Sequence, residues 1–404
     1  MSVAIRHDDL RKRNRAMVIS AVRGVSQPSR TEIAASTGLS HSTISTISSD
    51  LIAEGILAEI RKPEAGAQKR GRPQVALGLN PNAAEIVTMV LSLNFLSVAV
   101  IDYAGQVISE ENRKLATLTI SREDLIGECL AMVQRQIESR KSAGARVMRI
   151  GMAVQGTADA AARTMLWSPI TPHANINFGD RLEQATGIPV TVENDCNMIA
   201  LALRRHNPER YRSDFIAILL SHGIGMGMVL KGELFTGTQS SGCEFGHMIH
   251  RPDGALCRCG QRGCVEAYAG NYAIWRNARQ AGEDEPPLAD IGEADMQALA
   301  DLARASDGPE REAFRKAGEA IGFGLGSLFA LVDPAPVAIV GIGSAAFDLI
   351  EPSLRDAIGR TAGGQHSNAV TFETEPNEAP LIREGCTMRA LTYIDQEIFA
   401  PASA

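Results

Sequence analysis

The chain of 404 residues is 45% hydrophobic and only 4% aromatic, which fits two or three tightly packed α/β domains better than a β-sandwich. No run of about 18 apolar residues occurs, and the opening MSVAIRHDDLRKRNRAM has no apolar core; both argue against a membrane-spanning helix or a secretory signal and predict a cytoplasmic protein with reduced thiols. The net charge of −7 divides unevenly: residues 1–80 carry 12 Lys/Arg against 7 Asp/Glu, the remainder 28 against 40, so the basic head either meets a polyanion or presents a plain solvated face.

Residues 1–80 form the predicted head. DDLRKRNRAMVISAVRGV reads as a helix with acids at its start, apolar positions Leu10, Met17, Ile19, Ala21 and Val22, and an end at Gly24. SRTEIAASTGLS follows, with Ile33 and Ala34 inward and a sharp turn at Gly38. SHSTISTISSDLIAEGIL starts from Ser40 as N-cap and places Ile44, Ile47, Leu51 and Ile52 on one stripe. Two short helices joined by a glycine turn make a helix-turn-helix. The exposed side of the later helix carries Ser40, His41, Ser42, Thr43, Ser45, Thr46 and Ser49. Such small groups approach phosphates and base edges closely, where an ordinary surface helix carries Glu and Lys. Two strands, ILAEI and QVALGL, flank a basic loop holding Lys69, Arg70 and Arg72 in KRGRP. This reads as the wing of a winged helix, suited to a narrow minor groove. Asn80-Pro81 marks the linker.

The body follows. EIVTMVLSLNFLSVAVIDYAGQVISEENRKL reads as consecutive strands with a hairpin at Tyr103-Ala104-Gly105, and SREDLIGECLAMVQRQIESRKSAG as an amphipathic helix. RVMRIGMAVQGTAD is a buried strand entering a loop. GIPVTVENDCNMIALALRRH reads as strand, polar loop and helix. DFIAILLSHGIGMGMVLKGELF gives strand, glycine turn and strand, and APVAIVGIGSAAFDLIEPSLRDAI strand, glycine loop and helix. This order suggests two lobes of β-β-β-α-β-α type around a cleft. Cys257, Cys259 and Cys264 crowd into GALCRCGQRGC. Three thiolates at this spacing, with His247 or His250 nearby as a fourth donor, suit a closed tetrahedral zinc site; the spacing is not Cys-x-x-Cys.

IGMAVQGTAD, GIPVTVENDCNMIALAL, SHGIGMGMVLKGELFTG, CEFGHMIHRPDGALCRCGQRGCVEAYA and VAIVGIGS resemble, in order, the blocks of the ROK family of repressors, open reading frames and sugar kinases, over about residues 85–395. The head resembles the winged helix of the repressor branch. The resemblance implies an actin/hexokinase-like ATPase fold: a first lobe over 81–200, completed by a C-terminal helix at about 381–398, and a second lobe over 201–380 with the zinc loop. It makes His247, in EFGH, the fourth zinc ligand. It places Asn194, Asp195, Glu244, His247 and Glu266 against a sugar, with Asp195 at the position of the kinases' general base. Two departures stand out: Cys243 replaces the usual glycine before Glu244, and Ile170 occupies WSPITP where an asparagine is common. Both are expected to narrow or alter the sugar preference.

Kinases of the family carry a first phosphate loop, Asp-x-Gly-Gly-Thr, between the first two strands. LSLNFLSVAV has no Gly, Asp or Thr and places Phe95-Leu96 at the expected turn. The second loop keeps Gly223, Gly225 and Gly227, with His222 in place of a Thr; these glycines are expected to serve the turn and packing. The expectation is a sugar-responsive repressor that binds double-stranded operator DNA as a homodimer or homotetramer, takes a sugar or sugar phosphate as effector, holds a structural zinc, and makes no use of ATP. A sugar kinase with a fused DNA-binding head is the alternative.

Overall fold

The computed structural model describes residues 7–60, 75–141, 146–238, 243–287, 291–364 and 370–400. The head consists of α1 (His7–Gly24), α2 (Arg30–Thr37), α3 (His41–Ala53) and an antiparallel pair, β1 (Leu57–Ile60) with β2 (Ala76–Leu79). Ser29 and Glu32 form a capping box at the start of α2, Gly38 ends that helix at φ +72°, and the Ser40 hydroxyl caps α3. Gly38 and Ser40 fix the turn between α2 and α3. In α1 the buried stripe is Val18, Ile19 and Val22, while Leu10 is 43% exposed; ahead of Val18 the helix meets the end of α3 through the polar pairs Arg11–Asp50 and Arg15–Glu54 rather than through apolar packing. Lys69, Arg70 and Arg72 lie outside the described residues.

The first lobe contains β3 (Glu85–Ser92), β4 (Phe95–Asp102), β5 (Val107–Lys114), α4 (Arg122–Lys141), β6 (Val147–Val154), the short pair β7 (Thr157–Ala158) and β8 (Met165–Trp167), α5 (Phe178–Thr186) and β9 (Val190–Asn194). Helix α6 (Asp195–His206) leads to the second lobe: β10 (Phe215–Leu220), β11 (Ile224–Leu230), β12 (Glu233–Phe235), α7 (Glu266–Ala269), α8 (Asn271–Ala278), α9 (Glu293–Ala305), α10 (Pro309–Phe329), β13 (Val337–Val340), α11 (Phe347–Gly359) and β14 (Phe372–Glu375). The last helix, α12 (Glu378–Tyr393), continues into a π turn at Ile394–Ile398. The sheet orders are β5-β4-β3-β6-β9 and β12-β11-β10-β13-β14. In each, three antiparallel strands precede two parallel ones. The two lobes thus repeat one topology, the actin/hexokinase-like arrangement.

Helices α6 and α12 join the lobes. One core cluster holds Val90 and Ala153 of the first sheet, Ala217, Leu219 and Val340 of the second, and Met198, Ala202, Ile382 and Cys386 of the two helices. A second cluster runs from the head into the body: Ile19, Ile33, Ile44 and Leu51 pack in it with Ile86, Ile101, Tyr103, Leu391 and Ile394. The head is therefore built onto the first lobe and the end of α12. Arg23 clamps this seam. Its guanidinium reaches both Asp395 oxygens at 2.9 Å and donates to the Tyr103 carbonyl, while the Tyr103 hydroxyl donates to Asp395 at 2.6 Å. Burial and the Asp395 charge push the Tyr103 hydroxyl pKa far up. Arg15, also buried, pairs with Glu54 and donates to the Phe399 carbonyl.

Asp395→Ala leaves the Arg23 charge buried without its partner, which costs about 3–5 kcal/mol. Urea unfolding is expected to show that loss. Lys12→Ala, at the exposed Lys12–Glu397 pair, should cost less than about 1 kcal/mol.

Candidate functional site

Strand β9 passes into α6 with no loop between them, contrary to the polar loop expected there. Asn194 makes the loop unnecessary: its Oδ1 accepts the Asn197 N–H at 2.9 Å as the helix cap, and its Nδ2 donates to the Gly156 carbonyl at 2.9 Å and to Asp195. Asp195 is the first residue of α6 and 4% exposed, and it accepts the Cys196 N–H at 2.8 Å. Burial pushes its carboxyl pKa up to about 7; the Cys196 N–H opposes this and the Glu244 charge adds to it.

The second lobe supplies the facing wall. Glu244 accepts the Thr157 hydroxyl at 3.1 Å, and burial raises its pKa. Glu266 is 2% exposed and accepts the Ile224 N–H at 3.1 Å and the Tyr272 hydroxyl at 3.3 Å. Asn194, Asp195, Glu244, His247 and Glu266 line one cavity of about 40 Å³ together with Gln155 and Trp167. Gln155, Asp195 and Leu219 also line the adjoining interlobe cleft of about 860 Å³, so the small cavity is the deep end of the large one. Its volume admits only a few water molecules, and a pyranose enters only as the walls part. Trp167 meets the His247 ring edge-on at 5.3 Å. Sequence reasoning passed over Trp167, although one of only two tryptophans in the chain was a usable signal. Ile170 is fully buried in the first-lobe core and does not line the cavity, so it does not narrow the pocket.

The ligand atoms of His247, Cys257, Cys259 and Cys264 all lie within 4.8 Å of one another. Cys259 Sγ is 3.8 Å from Cys264 Sγ, and Cys257 Sγ is 3.7 Å from His247 Nδ1. A tetrahedral zinc with Zn–S bonds of ~2.3 Å has edges of ~3.8 Å, so the donors can hold a metal. Hydrogen bonds among the three thiols lower the Cys259 thiol pKa and raise that of Cys257, so the cluster shares its protons. His250 lies outside the group, between Tyr268 and Phe323. Gly263, at φ +79°, sits 1.8 Å (ideal Cβ) from the Arg251 carbonyl, so no side chain fits where the loop folds back. His247 Nε2 faces Glu244 at 3.9 Å, and Glu266 lies beside Cys257. Metal cluster and cavity therefore share a wall.

The β3–β4 turn is Leu93-Asn94, with Asn94 at φ +56°. Phe95-Leu96 already belong to β4, because asparagine tolerates the left-handed conformation that closes so short a turn. The Leu93 N–H donates to Gln155 at 3.0 Å and the Asn94 N–H to the Thr117 hydroxyl at 3.1 Å. Both amides are thus satisfied internally. In the second glycine loop, an ideal Cβ on Gly223 would lie 2.5 Å from Glu266 and one on Gly227 2.2 Å from the Cys196 carbonyl; close approach requires both. On α3, His41, Ser42, Ser45, Thr46 and Ser49 are exposed, as is the capping Ser40, while Thr43 is half-buried. Ser40 is shared with Thr43 and Ser42, and Thr46 donates back to the Ser42 carbonyl.

The ROK family profile matches residues 94–382. The chain belongs to the ROK family. It is 25% identical to a xylose repressor of Caldicellulosiruptor bescii over 87% of this chain and 88% of that one. It is 23% identical to the DNA-binding transcriptional repressor Mlc of Escherichia coli over 91% and 90%. A crystal structure of a ROK family transcriptional regulator, a homologue of Mlc, superposes with a TM-score of 0.76 at 22% identity, covering 97% of this chain and 98% of that one. A ROK family glucokinase of Streptomyces griseus, solved with glucose and AMPPNP, gives 0.61 at 24% identity, covering 76% of this chain and 99% of its own. The repressors span head and body; the glucokinase leaves about a quarter of the chain unmatched. Among the described residues no helix is long and apolar enough to cross a membrane.

Elemental analysis of purified protein should find one zinc per chain, kept by His250→Ala and lost or sharply reduced in Cys259→Ser. For Asp195 the folded pKa lies above the unfolded value, so its stabilising contribution is full below about pH 4 and is lost as pH rises toward about 7. Thermal midpoints of wild type and Asp195→Asn should coincide near pH 3.5 and separate by a few degrees, the variant higher, above pH 7.

Proposed function

We propose that this protein is a sugar-responsive DNA-binding transcriptional repressor whose kinase-like body senses a sugar or sugar derivative. The observation that carries this reading is the course of α12. Glu378, Ala379, Pro380, Ile382 and Arg383 at its start line the interlobe cleft, and Ala390 and Leu391 near its end, with Ile394 just beyond, lie in the core shared with the head. Sixteen residues of helix span about 24 Å. A sugar that parts the lobes at the deep cavity shifts α12, and α12 shifts the head.

Asn194, Asp195, Glu244, His247 and Glu266 are the sugar's partners in this reading, carboxylates accepting from its hydroxyls. His247, Cys257, Cys259 and Cys264 hold a structural zinc that fixes the second-lobe wall and performs no chemistry. DNA is met by Ser40, His41, Ser42, Thr43, Ser45 and Thr46 on α3, and by Lys69, Arg70 and Arg72. Heads of a homodimer or homotetramer address half-sites about one helical turn apart, and the sugar changes their spacing. The protein acts in the cytoplasm. A second reading, a sugar kinase with a fused head, draws support from Asp195, whose carboxyl pKa of about 7 suits a general base. Against it stand the two internally bonded amides of the Leu93-Asn94 turn, which are not available to a phosphate.

The test uses DNA selected by the protein from a random pool. Fluorescence anisotropy is expected to show at least a tenfold loss of affinity with an effective sugar, about 1.4 kcal/mol of coupling. Arg70→Ala and Arg72→Ala should weaken binding and reduce the salt slope by about one each. ATP-dependent phosphorylation of hexoses, pentoses or amino sugars that Asp195→Asn abolishes would establish the kinase reading instead.

A further inference from the structure

The exposed side of α3 is short of groups that tell one base from another. Its sequence, HSTISTISSDLIA, contains no Arg, Lys, Asn or Gln, the side chains that pair bidentately with guanine or adenine in the major groove. Asp50, its one carboxylate, is held by Arg11 at 3.2 Å. Serine and threonine hydroxyls remain, and these bond to many base edges and discriminate little. Several are already committed within the protein. Ser40 Oγ accepts the Thr43 N–H at 3.1 Å and lies 2.9 Å from Ser42 Oγ and 2.8 Å from Thr43 Oγ1.

Thr46 differs from its neighbours. Ile44, Ile47, Ser48 and Leu51 form the buried face of α3, and at about 3.6 residues per turn the opposite direction falls on Ser42, Thr46 and Ser49. All three are exposed, and only Thr46 among them carries a methyl group. Its Oγ1 donates to the Ser42 carbonyl, one turn back, at 3.1 Å. That bond spends the hydroxyl's one proton and turns the oxygen onto the helix's own backbone. Oγ1 and the methyl occupy different staggered positions on one Cβ, so the methyl is directed away from that carbonyl and is the free apolar group at the centre of the exposed face. We infer that the Thr46 methyl is a specificity determinant, which recognises the C5-methyl of a thymine in the major groove. In a helix-turn-helix the N-terminal part of the second helix meets the base edges. Thymine alone presents a methyl there, and apolar contact is how a threonine methyl reads it. This inference rests on the DNA-binding reading of the head.

Fluorescence anisotropy of the full-length protein, on DNA that it selects from a random pool, tests this. Each thymine of the selected site is replaced in turn by deoxyuridine, which lacks only the C5-methyl. At one position the replacement is expected to cost wild type about threefold to fivefold in affinity, the scale of one buried methyl group. Thr46→Ser keeps the hydroxyl and its bond to Ser42. It should lose a similar factor on the thymine DNA and nothing further on the deoxyuridine DNA, so that the two losses do not add. Thr46→Val keeps a methyl and drops the hydroxyl, and should remain sensitive to the same position. Both substitutions fall on an exposed residue and are expected to leave the thermal midpoint close to that of wild type. Additive losses, with Thr46→Ser still sensing every thymine methyl that wild type senses, overturn the inference while the DNA-binding reading stands. So does a wild type indifferent to every replacement. No DNA enriched from the pool overturns both.

Discussion

Helix α12 packs on α6 at a distance that only glycine permits. An ideal Cβ on Gly385 would lie 2.1 Å from the Met198 carbonyl, and one on Gly151 of β6 would lie 3.4 Å from the Cys386 carbonyl. α12 is therefore pressed against the helix that begins at Asp195 and against the first-lobe sheet. The rest of the molecule depends on this contact. It ties the cavity, whose wall includes the start of α6, to a helix whose far end is part of the head's core. A close-packed seam of this kind transmits small displacements, since it has no slack to absorb them. The Arg23–Asp395–Tyr103 group continues the same seam into α1, with ionic partners 12% and 7% exposed.

The deep cavity has two walls of different character. The first-lobe wall is made by backbone geometry, a strand entering a helix with Asn194 as the hinge residue and cap. The second-lobe wall is a loop with little regular structure, organised by isolated bridges such as Ile249–Cys264 and Leu256–Arg262 and by the four metal donors. Glu266 belongs to both systems, accepting from Ile224 and Tyr272 and lying against Cys257. A metal held by the cluster would fix the position of Glu266, which lies against Cys257.

Much of this was legible in the sequence. The Gly38 turn and the Ser40 cap announced the helix-turn-helix, and CxCx₄C announced three thiolates with a histidine nearby, because caps and metal ligands leave residue-type signatures at short spacing; His247 rather than His250 came from the family resemblance of EFGH. Apolar periodicity read β3, β4, β6, β9, β10, β11 and β13 with α4, α6 and α11, while α5, α7 to α10 and β14 went unread. Three features were not legible. The Leu93-Asn94 turn was misplaced by two residues because Asn94, at φ +56°, closes it without a glycine, and the partners of its amides, Gln155 and Thr117, are distant in sequence. Ile170 was assigned to the pocket by its neighbours in the chain, whereas its side chain is turned into the core. The Arg23–Asp395 pair joins residues 372 positions apart, and nothing in local pattern signals such a contact. Leu10 shows the same limit, since periodicity gave the helix but not the point at which its inner face becomes covered.

The central claim is that the cavity and the head share one mechanical unit through α12. Hydrogen exchange of the full-length protein, with and without a sugar found by thermal shift, tests it most directly. The account predicts altered exchange at the cavity, in the first turn of α6, and also at residues 390–398 and in the second half of α1. Altered exchange confined to the cavity walls, with the end of α12 and α1 unchanged, would contradict it.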